Sequence, residues 1–179
     1  MDKTPWYKKA EMLIGVSALV VSLVALIVGV YSAYLDRAFA RASVWPKVEV
    51  HSIYSSTQKK LVYRVTNVGT GPALIEHAIV KYKSKVVKDW DELSLLLGHK
   101  SRLFSTEHIG SRVLPALKTI DAIVTEDGKF AETFREAQPD VNIEICYCSV
   151  FDQCWLTNNE DKSTVTASCN VDSNNLFLD

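Results

Sequence analysis

The hydrophobic positions of the chain follow two patterns, and the change between them divides the sequence. Leu13 to Leu35 is a run of 23 residues without a charge. As a helix it would be about 35 Å long, which exceeds a bilayer core of about 30 Å. Aromatic residues flank the run on both sides, as is typical of membrane–water interfaces. The pattern predicts a cytoplasmic segment over residues 1–12 and a transmembrane helix over residues 13–35.

The alternative for this run is a cleaved signal peptide. The sequence "AFA" at Ala38–Ala40 resembles a cleavage site, but Asp36 and Arg37 precede it. The apolar run is also longer than the usual stretch of about 7–15 residues. A retained anchor is therefore favoured. A helical stalk over residues 36–46 should follow and end at Trp45-Pro46, because proline disfavours helix at the residue before it.

From Lys47 onward the hydrophobic period becomes two, which is typical of half-buried strands. Two amphipathic stretches interrupt the strands and predict short helices over residues 86–98 and 129–137. Residues 102–128 read as two short strands on either side of Pro115. This mainly β pattern predicts an immunoglobulin-like antiparallel β-sandwich with two short helices over residues 47–179. The alternating runs are residues 47–55, 60–68, 73–83 and 140–150.

The sequence "NVGTGPA" joins the second and third alternating runs. A tight structural turn is expected, because the glycines allow positive φ and the proline removes a ladder donor. A phosphate-binding loop is the alternative, but it needs a helix after the glycines, and the residues that follow are strand-like. The residues of the predicted turn are Asn67, Gly69, Gly71 and Pro72.

Three of the four cysteines lie within nine residues, in "CYCSVFDQC". Cys148 and Cys154 should face each other across a hairpin if its loop has three residues. Cys146 lies on the same strand face as Cys148, and Cys169 lies on the next predicted strand. The simplest pairing is Cys148–Cys154 with Cys146–Cys169, although four cysteines allow three connectivities.

Other chemistry for the cysteines is less favoured. The spacing lacks the C-x2-4-C knuckles of structural zinc sites and the C-x-x-C motif of redox enzymes. The histidines are scattered and are expected at the surface or at strand edges, and no nucleophile elbow, H-E-x-x-H or Walker motif occurs. The sequence therefore predicts disulfides, no cofactor and no enzymatic activity.

Charge and cysteine usage bear on the compartment. The net charge is −1, but residues 1–47 carry +3 and the remainder carries −4, which disfavours nucleic-acid binding. Basic residues on the two sides of the apolar run nearly balance, so the positive-inside rule alone does not choose an orientation. The amino terminus and the cysteines favour a cytoplasmic N-terminus and a domain in an oxidising compartment.

The apolar run also contains small residues spaced three and four apart, which places them on one stripe of a helix. Close backbone approach along small residues is a usual route to helix association in lipid. The pattern predicts a homo-oligomer, or pairing with another membrane protein, through this helix within the lipid bilayer. The seam residues are Gly15, Ala18, Ser22, Ala25, Gly29 and Ser32.

The sequences "NVGTGPALI", "IGSRVLP" and "ICYCSVFDQCW" together resemble a group of uncharacterised bacterial single-pass membrane-anchored proteins. That group has an N-terminal span, a β-sandwich domain, an N-x-G-x-G-P-A turn and a Y-C-S…C-W hairpin. The resemblance covers most of the chain and implies bacterial origin and this architecture, but no activity.

These observations predict a bacterial inner-membrane protein with a periplasmic β-sandwich that binds a partner in a cell-envelope assembly. Two alternatives stay open. One is an accessory subunit that faces the cytoplasm, with reduced or zinc-bound cysteines. The other is a small envelope enzyme.

Overall fold

The computed structural model describes residues 10–99, 103–160, 162–171 and 176–178. Most of the predicted cytoplasmic segment 1–12 therefore lies outside the described residues. The chain forms two compact units that divide between Ala42 and Ser43.

The first unit is a single helix, α1, over Ala10–Ser43. This helix is long and apolar enough to cross a membrane, by length and composition. Its 34 residues correspond to about 51 Å at 1.5 Å per residue. The helix ends at Ser43, so residues 44–46 of the predicted helical stalk are not helical.

The second unit is built from two antiparallel sheets. Its strands are β1 Val48–Ser55, β2 Lys60–Asn67, β3 Ala73–Tyr82, β4 Lys85–Val87, β5 Ser105–Thr106, β6 Arg112–Leu114, β7 Thr119–Thr125, β8 Val141–Cys148, β9 Cys154–Thr157 and β10 Thr164–Thr166. The first sheet has the order β1-β2-β7-β5. The second has the order β10-β9-β8-β3-β4, and β6 pairs with β3. Every strand pair among the described residues is antiparallel, which confirms the prediction of a mainly β domain with antiparallel sheets.

Two short helices connect strands of the domain, as predicted. Helix α2, Trp90–Leu96, begins after Asp89, whose carboxylate accepts from the Glu92 N–H at 2.6 Å. It is followed by Gly98 at φ 84°. Helix α3, Gly128–Ala137, begins after Asp127, which caps it in the same way. A 3₁₀ turn over Gln138–Asp140 then leads into β8. Side-chain caps satisfy N–H groups that the first helical turn leaves unpaired.

One hydrophobic core receives side chains from both sheets and both short helices. Strand β8 shows how the alternation of the sequence produces this core. As predicted, Val141, Ile143, Ile145 and Tyr147 are buried in it, because successive side chains of a strand point to opposite faces. The cysteines of β8 consequently lie on the outer face of the second sheet.

Two local predictions were wrong, and the glycines of the turn have a conformation other than the one that glycine allows uniquely. Val86 and Val87 belong to β4 rather than to a helix, because two β-branched residues pair with the end of β3. Residues 102–128 contain three strands instead of two. Gly69 and Gly71 do not adopt positive φ; among described glycines only Gly98 does. Their role is close backbone approach, described below.

Candidate functional site

The hairpin between β8 and β9 brings two cysteines directly opposite each other. The Ser149 N–H donates to the Gln153 carbonyl at 2.8 Å, which leaves three residues in the loop. The last of them, Asp152, has φ 58°, the left-handed position of a three-residue hairpin. Cys148 and Cys154 are the next register pair, and their Cα atoms are 4.0 Å apart. The three-residue loop on which this pairing depended is confirmed.

The second pair joins β8 to the segment that follows β10. Cys146 and Cys169 lie at disulfide distance, with Cα atoms 5.7 Å apart. The four cysteines thus form the two pairs that were simplest in sequence, Cys146–Cys169 and Cys148–Cys154. Cys146 is 2% exposed, because the segment around Cys169 covers it. Both pairs lie on the outer face of the second sheet.

The two cysteine pairs are also in contact with each other. The sulfurs of Cys148 and Cys169, which belong to different pairs, are 3.7 Å apart. Those two sulfurs and that of Cys154 all lie within 4.8 Å of one another. A thiolate is the form of cysteine that binds a metal. Pairing at disulfide distance therefore favours covalent staples over a zinc site in this state of the chain.

His77 is the cross-strand neighbour of Cys146. The His77 imidazole donates a hydrogen bond to the Cys169 backbone carbonyl. His77 as a whole is only 7% exposed. Burial lowers the pKa of His77 below its ordinary value, against the opposing effects of the Glu76 charge and this hydrogen bond. The expectation of a surface or edge position was wrong for His77. A β-bulge between Ile75 and His77 shifts the strand register and turns this side chain to the cysteine face.

The predicted turn after β2 is organised by one buried side chain. Asn67 is 0% exposed. Its amide nitrogen donates to the carbonyls of Gly71 at 2.8 Å and Leu114 at 3.1 Å. Its amide oxygen accepts from the N–H groups of Gly69 at 3.0 Å and Lys47 at 3.2 Å. Asn67 therefore ties the entry of β1, the β2–β3 turn and the end of β6 together, and we call this set of contacts the Asn67 clamp.

The glycines of the turn permit a close crossing of two backbone segments. The turn packs against residues 44–47, and the Trp45 carbonyl accepts from the Thr70 N–H at 2.9 Å. A Cβ added to Gly71 would lie on the backbone of Val44, and one added to Gly69 would reach only 2.7 Å from the Pro46 carbonyl carbon. Real Cβ contacts are not this short. Strand β3 follows the glycines, so the turn lacks the helix N-terminus that a phosphate-binding loop needs.

The predicted helix seam lies along α1, in which no residue is buried. A Cβ added at Gly15 or Gly29 would meet no atom within 4 Å. The seam is thus uncovered within the described chain.

A polar cleft of about 260 Å³ opens beside the 3₁₀ turn. Its one acid–base side chain is Tyr63, whose phenol is hydrogen-bonded to Gln138. Burial raises the pKa of Tyr63 to about 12. The phenol is therefore protonated at neutral pH and suits a hydrogen-bonding role rather than that of a general base.

Comparison of the chain with protein-family models, with curated proteins and with solved structures finds no match.

Proposed function

We propose that this chain is a single-pass protein of the bacterial inner membrane whose β-domain lies outside the cytoplasm and binds a partner in a cell-envelope assembly. The observation that carries the proposal is the pairing of all four cysteines at disulfide distance. Disulfides persist in oxidising compartments such as the periplasm and are rare in the cytoplasm. A helix that contains the charge-free run Leu13–Leu35, and that is long and apolar enough to span a membrane, precedes this domain.

The finer fold assignment that we propose is an immunoglobulin-like sandwich. The order β1-β2-β7-β5 corresponds to the A-B-E-D sheet of that fold. The run β9-β8-β3-β4 corresponds to G-F-C with an added C′ strand. The hydrophobic core between the two sheets supports the same assignment. In this scheme the disulfide hairpin is the F–G loop, and the Asn67 turn is the B–C loop.

Exposed apolar side chains on these two loops and their neighbours support a binding role. Leu117 donates its N–H to the Asn67 carbonyl at 2.9 Å and is 77% exposed. Trp45 is 54% exposed, and its ring lies 5.6 Å from that of Trp155, which follows the hairpin loop. Apolar groups gathered at one end of a soluble domain are typical of interaction surfaces. We call this set the apolar rim, consisting of Trp45, Val68, Leu117, Val150 and Phe151.

The compartment can be tested by thiol labelling, because every cysteine of the chain lies in the β-domain. Intact cells are treated with a membrane-impermeant maleimide, with and without a mild impermeant reductant. We expect labelling of intact cells only after reduction. A variant with all four cysteines replaced by serine provides the blank.

Labelling that appears only after lysis, without any reductant, would overturn the proposal. That result would support the accessory subunit that faces the cytoplasm, and it would reopen the zinc interpretation of the cysteines. Labelling of intact cells without reductant would mean free thiols outside the cytoplasm, which also contradicts the proposed staples.

For the helix we propose pairing through the seam, either with a second copy or with another membrane protein. Replacing Gly29 by leucine places a large side chain where backbones are expected to approach. We expect the crosslinked dimer fraction in native membranes to fall roughly tenfold, equivalent to about 1.4 kcal/mol. Val20→Leu is the matched control, because Val20 lies half a turn around the helix from Gly29. Equal crosslinking by the wild type and both variants would contradict a role for the seam in self-association.

A further inference from the structure

The contact between the two cysteine pairs could allow a reaction between the two disulfides, which two separated disulfides could not undergo. Cys148 and Cys169 are held 3.7 Å apart, sulfur to sulfur, while each is bonded to a different cysteine. This separation is a van der Waals contact. The contact lies under the segment that follows β10, on the outer face of the second sheet.

Thiol–disulfide exchange proceeds by attack of a thiolate on a disulfide sulfur, through a mixed disulfide. Its rate depends on which sulfur can be reached and on the geometry of approach. A thiolate already held against the sulfur that it attacks reacts as an intramolecular group, at a very high effective concentration. If Cys148 loses its bond to Cys154, the sulfur in contact with it is that of Cys169.

We propose that the two disulfides form one exchange unit for a cysteine-containing partner protein. In the first step a partner thiolate attacks the Cys154 sulfur, forms a mixed disulfide with it and expels Cys148 as a thiolate. In the second step Cys148 attacks Cys169, the Cys148–Cys169 bond forms, and Cys146 leaves as a thiolate. One thiolate enters and one leaves, so these two steps involve no net oxidation or reduction.

A partner with two thiols completes the reaction. Its second thiolate attacks the mixed disulfide and releases Cys154, so the partner dithiol is oxidised to a disulfide. The domain is reduced by the same two electrons, and the two thiol protons of the partner are transferred to Cys154 and Cys146. The remaining disulfide is Cys148–Cys169. The proposed entry point is beside the hairpin loop, whose residues Val150, Phe151 and Asp152 are exposed.

The exchange unit rests on the proposed extracytoplasmic location, because a reducing compartment would leave all four thiols free. The chemistry can nevertheless be tested on the purified full-length protein in detergent. Failure of the exchange and failure of the proposed location are therefore distinguishable.

The first test uses Cys154→Ser, which leaves Cys148 without its partner. The protein is purified without added thiol and alkylated at low pH. It is then digested with chymotrypsin, which cleaves after Tyr147 and separates Cys146 from Cys148. We expect alkylation on both Cys146 and Cys148, because the disulfide of Cys169 is shared between them. Label confined to Cys148, with the Cys146–Cys169 pair intact, would overturn the proposal.

Cys169→Ser is the matched control, because it removes the sulfur that receives the attack. Its label should remain on Cys146, and equal scrambling in this variant would also overturn the proposal. The wild type provides a measurement that does not depend on a variant folding. After brief reduction with limiting dithiothreitol, the species with two thiols should carry label on Cys146 and Cys154. Label on Cys148 and Cys154 alone would contradict transfer between the disulfides.

Discussion

Asn67→Asp should destabilise the β-domain by about 4 kcal/mol, because a buried carboxylate would replace a group that donates to backbone carbonyls. The amide nitrogen of Asn67 faces the carbonyls of Gly71 and Leu114. An ionised oxygen at that position would face them without a proton to share. The measurement is the free energy of unfolding in urea of the full-length protein in detergent, monitored by tryptophan fluorescence.

Two comparisons isolate the cause of this loss. Asn158→Asp should change stability by less than about 0.5 kcal/mol, because Asn158 accepts one bond from Glu160 in an exposed loop and aspartate makes the same turn. The Asn67→Asp loss should shrink relative to the wild type as the pH falls, since a protonated carboxyl regains a donor. An Asn67→Asp protein as stable as the wild type at neutral pH would show that the clamp contributes little.

Gly71→Ala should cost about 3 kcal/mol or more, because its added methyl group would lie on the backbone of Val44. A flexible side chain in this position could move aside, whereas the Val44 atoms that the methyl group meets belong to the main chain. Relief requires residues 44–47 to move away from the turn, which breaks the bonds that the Trp45 carbonyl accepts. The same unfolding measurement gives the free energy.

Gly110→Ala is the matched control for this prediction. A Cβ added at Gly110 would have the Ala78 nitrogen as its nearest neighbour, at 3.9 Å. The φ of Gly110 is not positive. We expect a change of less than about 1 kcal/mol, with stabilisation possible because alanine restricts the unfolded chain. Equal losses at Gly71 and Gly110 would mean that close backbone approach is not what selects glycine in the turn.

The parts of the fold that depend on local pattern were predictable from the sequence. Alternation along β8 assigned its core and cysteine faces, and a short loop between Cys148 and Cys154 predicted their pairing. The amphipathic stretch over residues 86–98 predicted the existence of α2, although its first two residues belong to β4. Each of these features depends on residues within about ten positions of one another, where strand and helix periods fix the geometry.

The parts that depend on distant contacts were not predictable. Asn67 and Leu114 are 47 positions apart, and nothing near Asn67 in sequence indicates that partner. The glycines of the turn were correctly placed, but positive φ was the wrong reason, since the backbone that they approach belongs to residues before β1. His77 joined the cysteine face through a bulge, and a one-residue shift of this kind reverses the face that simple alternation assigns.

The Asn67 clamp also determines how the domain would respond to mechanical tension. A pull transmitted along the chain from α1 reaches the domain at Trp45 to Lys47, where the clamp holds the chain to the β2–β3 turn. The hydrogen bonds between this segment and the β2–β3 turn would therefore carry force before the hydrogen bonds of the β1–β2 ladder do. The bond between Cys146 and Cys169 closes a stretch with a sequence separation of 23. That stretch cannot be drawn out while the bond is intact, so extension would be confined to residues outside the loop that the bond closes.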